Sequence, residues 1–142
     1  MRFTIFQDSR PGDRRDNEDR VGYAYAKDVL LMVIADGMGG HLHGEVAAQI
    51  ASQFIAEAFQ RNAQPRLADP LKFLLESITN AHHAIVDYAN TRGADKIMYA
   101  GYYPMGLSLE RIFTEMPDVP FRDHVWAPFL RENALRVFKR DA

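Results

Sequence analysis

The chain has 142 residues, of which 47% are hydrophobic and 25% are charged, and its formal net charge is −2 at pH 7. This is the composition of an ordinary globular domain, and the near-neutral charge argues against nucleic acid or an anionic membrane as a partner. The absence of cysteine excludes disulfides and thiolate metal sites, so any bound metal would use oxygen or imidazole ligands, which favours Mg²⁺ or Mn²⁺. With neither a membrane-length apolar run nor a signal-peptide pattern, we expect a cytoplasmic protein.

The amino-terminal part of the sequence predicts short strands. Residues 2–6 are aromatic and β-branched, and residues 20–26 alternate large and small side chains, which is typical of a strand. Residues 29–35 are apolar at every position, which predicts a strand that is covered on both faces. Lys27 and Asp28 separate the last two strands and predict a two-residue hairpin turn.

Two long helices follow in the predicted order. Residues 44–60 carry a wide apolar stripe at helical spacing. Asp69 and Pro70 form a helix-start signal, and apolar residues continue at helical spacing to about residue 90, so a second helix is expected beside the first. The remaining chain predicts a strand at 96–101 and helices near 108–114 and 126–139. The pattern thus indicates an α+β (α/β) fold.

The open end of the predicted hairpin concentrates carboxylates. A two-residue turn pairs Asp19 with Asp36 and Glu18 with Gly37, and directly opposed residues lie about 4.5–5.5 Å apart, where like charges destabilise unless a cation lies between them. A solvated turn with self-paired charges is the alternative interpretation. Asp36, however, ends an apolar strand and enters a glycine-rich loop, which favours a ligand-binding role.

Three short segments together resemble the amino-terminal signature of bacterial type 2C (metal-dependent, PPM) protein serine/threonine phosphatases. They are RRDNED at residues 14–19, ADGMGGH at 35–41 and GEVAA at 44–48. The resemblance covers about residues 1–93 and implies part of a four-layer α-β-β-α sandwich. It also implies hydrolysis of phosphoserine and phosphothreonine in protein substrates, with two Mn²⁺ or Mg²⁺ ions.

The same resemblance implies roles for individual residues. Asp36 would bridge both ions, Glu18 and the Gly37 carbonyl would ligate one of them, Asp19 would orient metal-bound water, and Arg14 would hold the substrate phosphate. The chemistry agrees with general principles, because a metal pair activates water near neutral pH and a guanidinium binds phosphate through two parallel hydrogen bonds. Asp36 and Asp19 are therefore the predicted catalytic residues.

Residues 94–142 depart from this pattern. Past Gly40 the chain contains neither an Asp-Gly nor an Asp-Asn pair, from which complete phosphatases of this type take further metal ligands. The second metal site is therefore expected to be incomplete. Residues 95–104 and 129–138 instead resemble the carboxyl-terminal end of TIM-barrel amidohydrolases, although Tyr102 stands where that family usually has an aspartate.

The sequence thus predicts two segments, a phosphatase-like one at 1–93 and an amidohydrolase-like one at 94–142 that contributes a strand and helices foreign to the phosphatase fold. Three functions stay open. The chain could be an incomplete metal-dependent phosphatase with weak or no activity, a non-catalytic binding or oligomerisation module for which self-association is possible, or the remnant of an amidohydrolase.

Overall fold

The computed structural model describes residues 4–13, 15–37, 44–64, 66–99 and 108–138. The chain divides into two compact units, Met1–Ile85 and Val86–Ala142. None of the helices within the described ranges combines the length and apolar character that crossing a bilayer requires. The predicted segment boundary after residue 93 lies inside the second unit and stays a prediction.

An antiparallel hairpin is the only sheet among the described residues, and it consists of β1 (Arg20–Tyr25) and β2 (Leu30–Ala35). Arg20 pairs with Ala35 at one end, and Tyr23 pairs with Met32 near the middle. This is the register that the sequence predicts from a two-residue turn, so that prediction is confirmed.

The turn between the strands has the predicted length. The Ala26 amide donates to the Val29 carbonyl over 2.9 Å, which leaves Lys27 and Asp28 as the two turn residues. The Asp28 carboxylate forms an ion pair with the Arg66 guanidinium over 3.1 Å, and both side chains are largely exposed. Because exposed ion pairs contribute little, the turn depends mainly on its backbone hydrogen bonds.

Helix α1 (Gly44–Asn62) packs against one face of the hairpin, which we call the inner face. In the middle of β1, the residues on this face are the small Gly22 and the buried Ala24. A β-carbon at Gly22 would lie 3.9 Å from the Ser52 carbonyl oxygen, so the helix backbone comes close to the strand. The alternation of large and small residues in β1 is therefore explained by the close approach of α1.

The core of the first unit lies between the hairpin, α1 and the start of the next helix. Phe59 is only 1% exposed, and its ring meets that of Phe73 edge to face with centroids 5.8 Å apart, a favoured aromatic geometry. The buried residues of this core are Ala24, Leu31, Ala58, Phe59, Ala63 and Phe73.

The opposite face of the hairpin, the outer face, is exposed. Met32 is 76% and Ile34 is 78% exposed, whereas Leu31 is buried against the helical side. The prediction that β2 is covered on both faces is therefore wrong for the described residues. Among the described residues, the hairpin has a helix on its inner side and no second layer on its outer side.

Helix α2 (Pro70–Tyr88) begins where the sequence predicts. The Lys72 amide donates to the Asp69 carboxylate over 3.0 Å, which confirms the predicted cap. Its buried face, however, carries Phe73, Ser77 and Ala81. The predicted apolar stripe is instead exposed, and its members in this stretch are Leu71, Leu74, Leu75 and Ile78.

The strands predicted at the two ends of the sequence are not formed by the described residues. Residues 4–6 and 96–99 lack strand pairing, while residues 2, 3, 100 and 101 lie outside the described ranges. An extended segment becomes a strand only when a neighbour accepts its ladder hydrogen bonds, and only β1 and β2 pair here. A π-helical turn, Ala89–Gly93, follows α2 instead.

The second unit is helical among its described residues, and the helices predicted near 108–114 and 126–139 are present. Ser108 caps the first of them by accepting a 3.2 Å hydrogen bond from the Arg111 amide. The elements are α3 (Leu109–Glu115), a 3₁₀ turn (Met116–Asp118), α4 (Asp123–Ala127), a π-helical turn (Pro128–Glu132) and α5 (Asn133–Phe138).

A buried amide and an aromatic cluster hold this second unit together. Asn133 donates from Nδ2 to the carbonyl oxygens of Ala94 over 2.9 Å and Ile97 over 2.5 Å. The rings of Phe121 and Phe129 pack edge to face with centroids 5.1 Å apart. The segment that follows α2 is thus tied to α5 by side-chain hydrogen bonds to its backbone.

Replacing Phe59 by alanine tests the core of the first unit. Phe59→Ala should lower the free energy of unfolding by about 3–5 kcal/mol, because it removes a fully buried ring. The matched control is Phe6→Ala, since Phe6 is 89% exposed and its loss should cost under about 0.5 kcal/mol. Urea denaturation followed by far-ultraviolet circular dichroism measures both, and equal losses would contradict the packing described.

Candidate metal centre at the open end of the hairpin

The predicted acidic site residues lie directly beyond the end of the β-ladder. Arg20 and Ala35 form its last pair, so Asp19 and Asp36 are the first residues beyond it. Both aspartates are exposed, and Glu18 is half-buried. The hairpin therefore brings the two predicted acidic segments to the same end of the sheet, as expected.

A network of hydrogen bonds fixes the backbone of the first acidic segment. The Asp19 amide donates to the Asn17 side-chain oxygen over 3.0 Å, and the Asn17 amide group donates to Ser9 over 2.7 Å. Arg20 donates from Nη1 to the carbonyl oxygens of Asn17 over 2.9 Å and Asp19 over 2.8 Å. Local bonds of this kind hold a turn in one shape.

Two glycines bring the end of β2 against the start of α1. A β-carbon at Gly37 would lie 2.6 Å from the carbonyl carbon and oxygen of Gly44, and 2.5 Å from the Glu18 carbonyl oxygen. Real β-carbons essentially never come so close to backbone atoms. Only glycine lets these three backbone segments meet.

Two oxygen atoms converge beside the first residue of α1. A β-carbon at Gly44 would contact the Glu18 carboxylate oxygen Oε2 and would lie 3.1 Å from the Gly37 carbonyl oxygen. These are the two atoms predicted to ligate one metal ion. Carboxylate and carbonyl oxygens suit Mg²⁺ and Mn²⁺, and a carboxylate near a helix amino terminus is also stabilised by the helix dipole.

Glu18 and Gly37 do not by themselves make a complete metal site. Across the described ranges, no group of three or more acidic or histidine side chains is arranged to hold a metal ion. Asp19 and Asp36 lie past the last ladder pair, so strand pairing does not hold their carboxylates together. Arg14 and residues 38–43 lie outside the described residues. The donor set fits a hard divalent ion in chemistry and supplies part of its coordination.

Sequence reasoning did not assign roles to three residues that shape this end of the hairpin. Gly44 allows the contact with Glu18 and Gly37, while Asn17 and Arg20 organise the acidic segment. The position of Gly44 at the start of an apolar helix is the signal that could have indicated a close backbone contact, because glycine is an unfavourable helix residue.

Residues 8–102 match the family described as protein phosphatase 2C, which is more than half of the chain. The chain belongs to this family. The matched range runs past the boundary predicted after residue 93. The resemblance of residues 94–142 to amidohydrolases stays a prediction.

Curated relatives of this phosphatase 2C family member are bacterial. The chain is 32% identical over 88 residues to serine/threonine phosphatase stp of Listeria innocua serovar 6a, and equally to that of Listeria monocytogenes serovar 1/2a. These alignments cover 61% of this chain and 35% of each relative. A putative protein phosphatase of Mycoplasma genitalium is 30% identical over 47 residues, which are 33% of this chain and 18% of that protein.

The chain therefore spans about a third of the length of the Listeria phosphatases that it resembles. No solved structure matches it. Family membership is thus established for a segment that corresponds to one part of longer enzymes.

Replacing Gly44 by alanine tests the contact at the start of α1. Gly44→Ala should lower the free energy of unfolding by about 1–3 kcal/mol, since the added methyl group overlaps Glu18 and the Gly37 backbone. Gly22→Ala is the matched control, because its β-carbon would meet only ordinary contacts near 3.9 Å and should be nearly neutral. Urea denaturation measures both, and a neutral Gly44→Ala would exclude the close contact.

Proposed function

We propose that this chain carries part of the active site of a metal-dependent protein serine/threonine phosphatase, which hydrolyses phosphomonoesters with a metal-activated water. The observation that carries the proposal is the convergence of the Glu18 carboxylate and the Gly37 carbonyl oxygen beside Gly44. The family membership and the Listeria relatives, which are named serine/threonine phosphatases, support the same reaction class.

The proposed roles divide between ion binding and substrate positioning. Glu18 and the Gly37 carbonyl would hold one Mn²⁺ or Mg²⁺ ion, and Asp36 would hold both ions of a pair. Asp19 would orient the attacking water, and Arg14 would bind the phosphate of a phosphoserine or phosphothreonine protein substrate. When bound, the ions stabilise charge on the phosphoryl group and lower the pKa of water.

The described geometry makes Glu18 a better preorganised ion ligand than the other acidic residues. Its carboxylate is half-buried and lies against the start of α1, whereas Asp19 and Asp36 are exposed. A preorganised ligand loses less conformational entropy on binding than a mobile one. We therefore expect Glu18 and Gly37 to contribute the first ion site, and we expect weak or no turnover because the second site is predicted to be incomplete.

A non-catalytic binding or oligomerisation module is the second candidate. It is favoured by the exposed apolar outer face of the hairpin and by the limited share of the relatives that this chain covers. The amidohydrolase remnant and the cytoplasmic location stay predictions without a supporting observation from the fold.

Metal binding is the first test of the phosphatase proposal. Titration of the chain with Mn²⁺, followed by electron paramagnetic resonance, should show binding that Glu18→Gln weakens by at least about tenfold, because a ligand is removed. Glu57→Gln is the matched control, since Glu57 is exposed on α1 and pairs with Arg61 at 3.7 Å. Equal affinity in both variants would remove Glu18 from the site.

Phosphate release from a phosphoserine peptide is the second test. Turnover, however slow, should require Mn²⁺ and should be lost in Asp36→Asn, because that residue would contact both ions. Asp28→Asn removes the same charge from the opposite end of the hairpin and should leave turnover unchanged. Mn²⁺ binding without any turnover would agree with an incomplete second site, whereas turnover that survives both EDTA and Asp36→Asn would contradict the proposal.

A further inference from the structure

The outer face of the hairpin is a continuous apolar surface. Strand alternation places six side chains on it, three from each strand, and none is charged. Tyr25, Met32 and Ile34 are 63%, 76% and 78% exposed, and Tyr23 is 44% exposed. The six residues of the outer face are Val21, Tyr23, Tyr25, Leu30, Met32 and Ile34.

The register joins these side chains into one patch. Tyr23 lies directly opposite Met32, and Val21 lies opposite Ile34, so neighbouring side chains on the two strands are within contact distance. Four side chains of this size and exposure present about 500 Å² of surface, which is as large as the largest apolar patch of a typical monomer. Such a patch is characteristic of an interaction surface.

We propose that the outer face binds the outer face of a second copy of this chain in a two-fold symmetric dimer. Two such patches would together bury about 1,000 Å², which is at the lower limit for a specific interface. A two-fold interface uses the same patch on both copies, so the patch must be self-complementary. An uncharged apolar sheet face meets that requirement. This inference does not depend on phosphatase activity.

The charges at the two ends of the hairpin select one of two possible arrangements. Glu18, Asp19 and Asp36 lie at the open end, whereas Lys27 lies at the turn. Lys27 forms no ion pair with any described residue, and the neighbouring Asp28 is already paired with Arg66. If the strands of the two copies run in the same direction, their acidic ends meet and repel each other. If they run in opposite directions, each acidic end approaches the partner copy's Lys27.

The favoured arrangement is therefore antiparallel, which means that the strands of the two copies run in opposite directions. The two-fold axis then crosses the strands. This axis stacks β1 on the β1 of the second copy and β2 on its β2. Face-to-face sheets lie about 10 Å apart with interdigitated side chains. The central pair, Tyr23 and Met32, then lies close to the axis, so each of these positions approaches its own copy.

Sedimentation of the full chain tests the proposal. The unmodified chain should show a concentration-dependent monomer–dimer equilibrium, and Ile34→Lys should raise the dissociation constant by at least about 100-fold, since it buries an unpaired charge. The matched control is Ile78→Lys on the exposed stripe of α2, where the side chain is 59% exposed. Circular dichroism confirms that both variants are folded.

Three outcomes of this experiment would overturn the proposal. They are a chain that stays monomeric at every concentration, a dimer that survives Ile34→Lys, and a dimer that Ile78→Lys dissociates instead. Lys27→Glu tests the orientation separately: it should weaken the antiparallel dimer several-fold at low salt, because it puts a carboxylate against the partner copy's acidic end, and an unchanged dissociation constant would contradict this orientation.

Cross-linking distinguishes face-to-face stacking from pairing through a strand edge. Because the chain has no cysteine, single variants report single positions. Tyr23→Cys and Met32→Cys should both form covalent dimers with a bismaleimide of about 10 Å reach, which matches the sheet separation. Leu75→Cys on α2 should not. Edge pairing through one strand would cross-link only one of the two positions, and this result would overturn the stacked arrangement.

Discussion

The close packing of α1 against the inner face of the hairpin determines how two of the candidate site residues, Glu18 and Gly37, are placed. Gly22 lets the middle of the helix approach β1, and Gly44 lets its first turn touch the end of β2. Because both contacts are backbone contacts, the helix is held in position at two points without long side chains. The Glu18 carboxylate and the Gly37 carbonyl are placed together as a result of this packing.

Local features of the sequence were sufficient to predict the elements of the first unit. The two-residue turn between the predicted strands fixes the register of the hairpin. The observed pairing of Arg20 with Ala35 confirms this register. The cap formed by Asp69 is likewise local, because it involves only the residues of the first helical turn. Signals of this kind act over a few residues and do not depend on the rest of the fold.

The parts that sequence could not predict depend on contacts between distant elements. Apolar periodicity indicates which side of an element is hydrophobic, but whether a partner covers that side depends on the rest of the chain. Met32 and Leu71 are apolar at the expected spacing and are still exposed. The grouping of Asp19 with Asp36 stays a prediction, since the ladder ends at Arg20 and Ala35 and constrains side chains only as far as it extends.

The hydrogen bonds of Arg20 have an electrostatic consequence. Its guanidinium donates to the carbonyl oxygens of Asn17 and Asp19, so it braces the acidic loop through the main chain. Within residues 15–20 and at residue 36, four carboxylates accompany the guanidinium groups of Arg15 and Arg20, so the charge at this end of the hairpin is negative. Over about 10 Å, the screening length in dilute salt, such a charge attracts cations and speeds their capture. Capture of a divalent ion at this end would then slow as ionic strength rises.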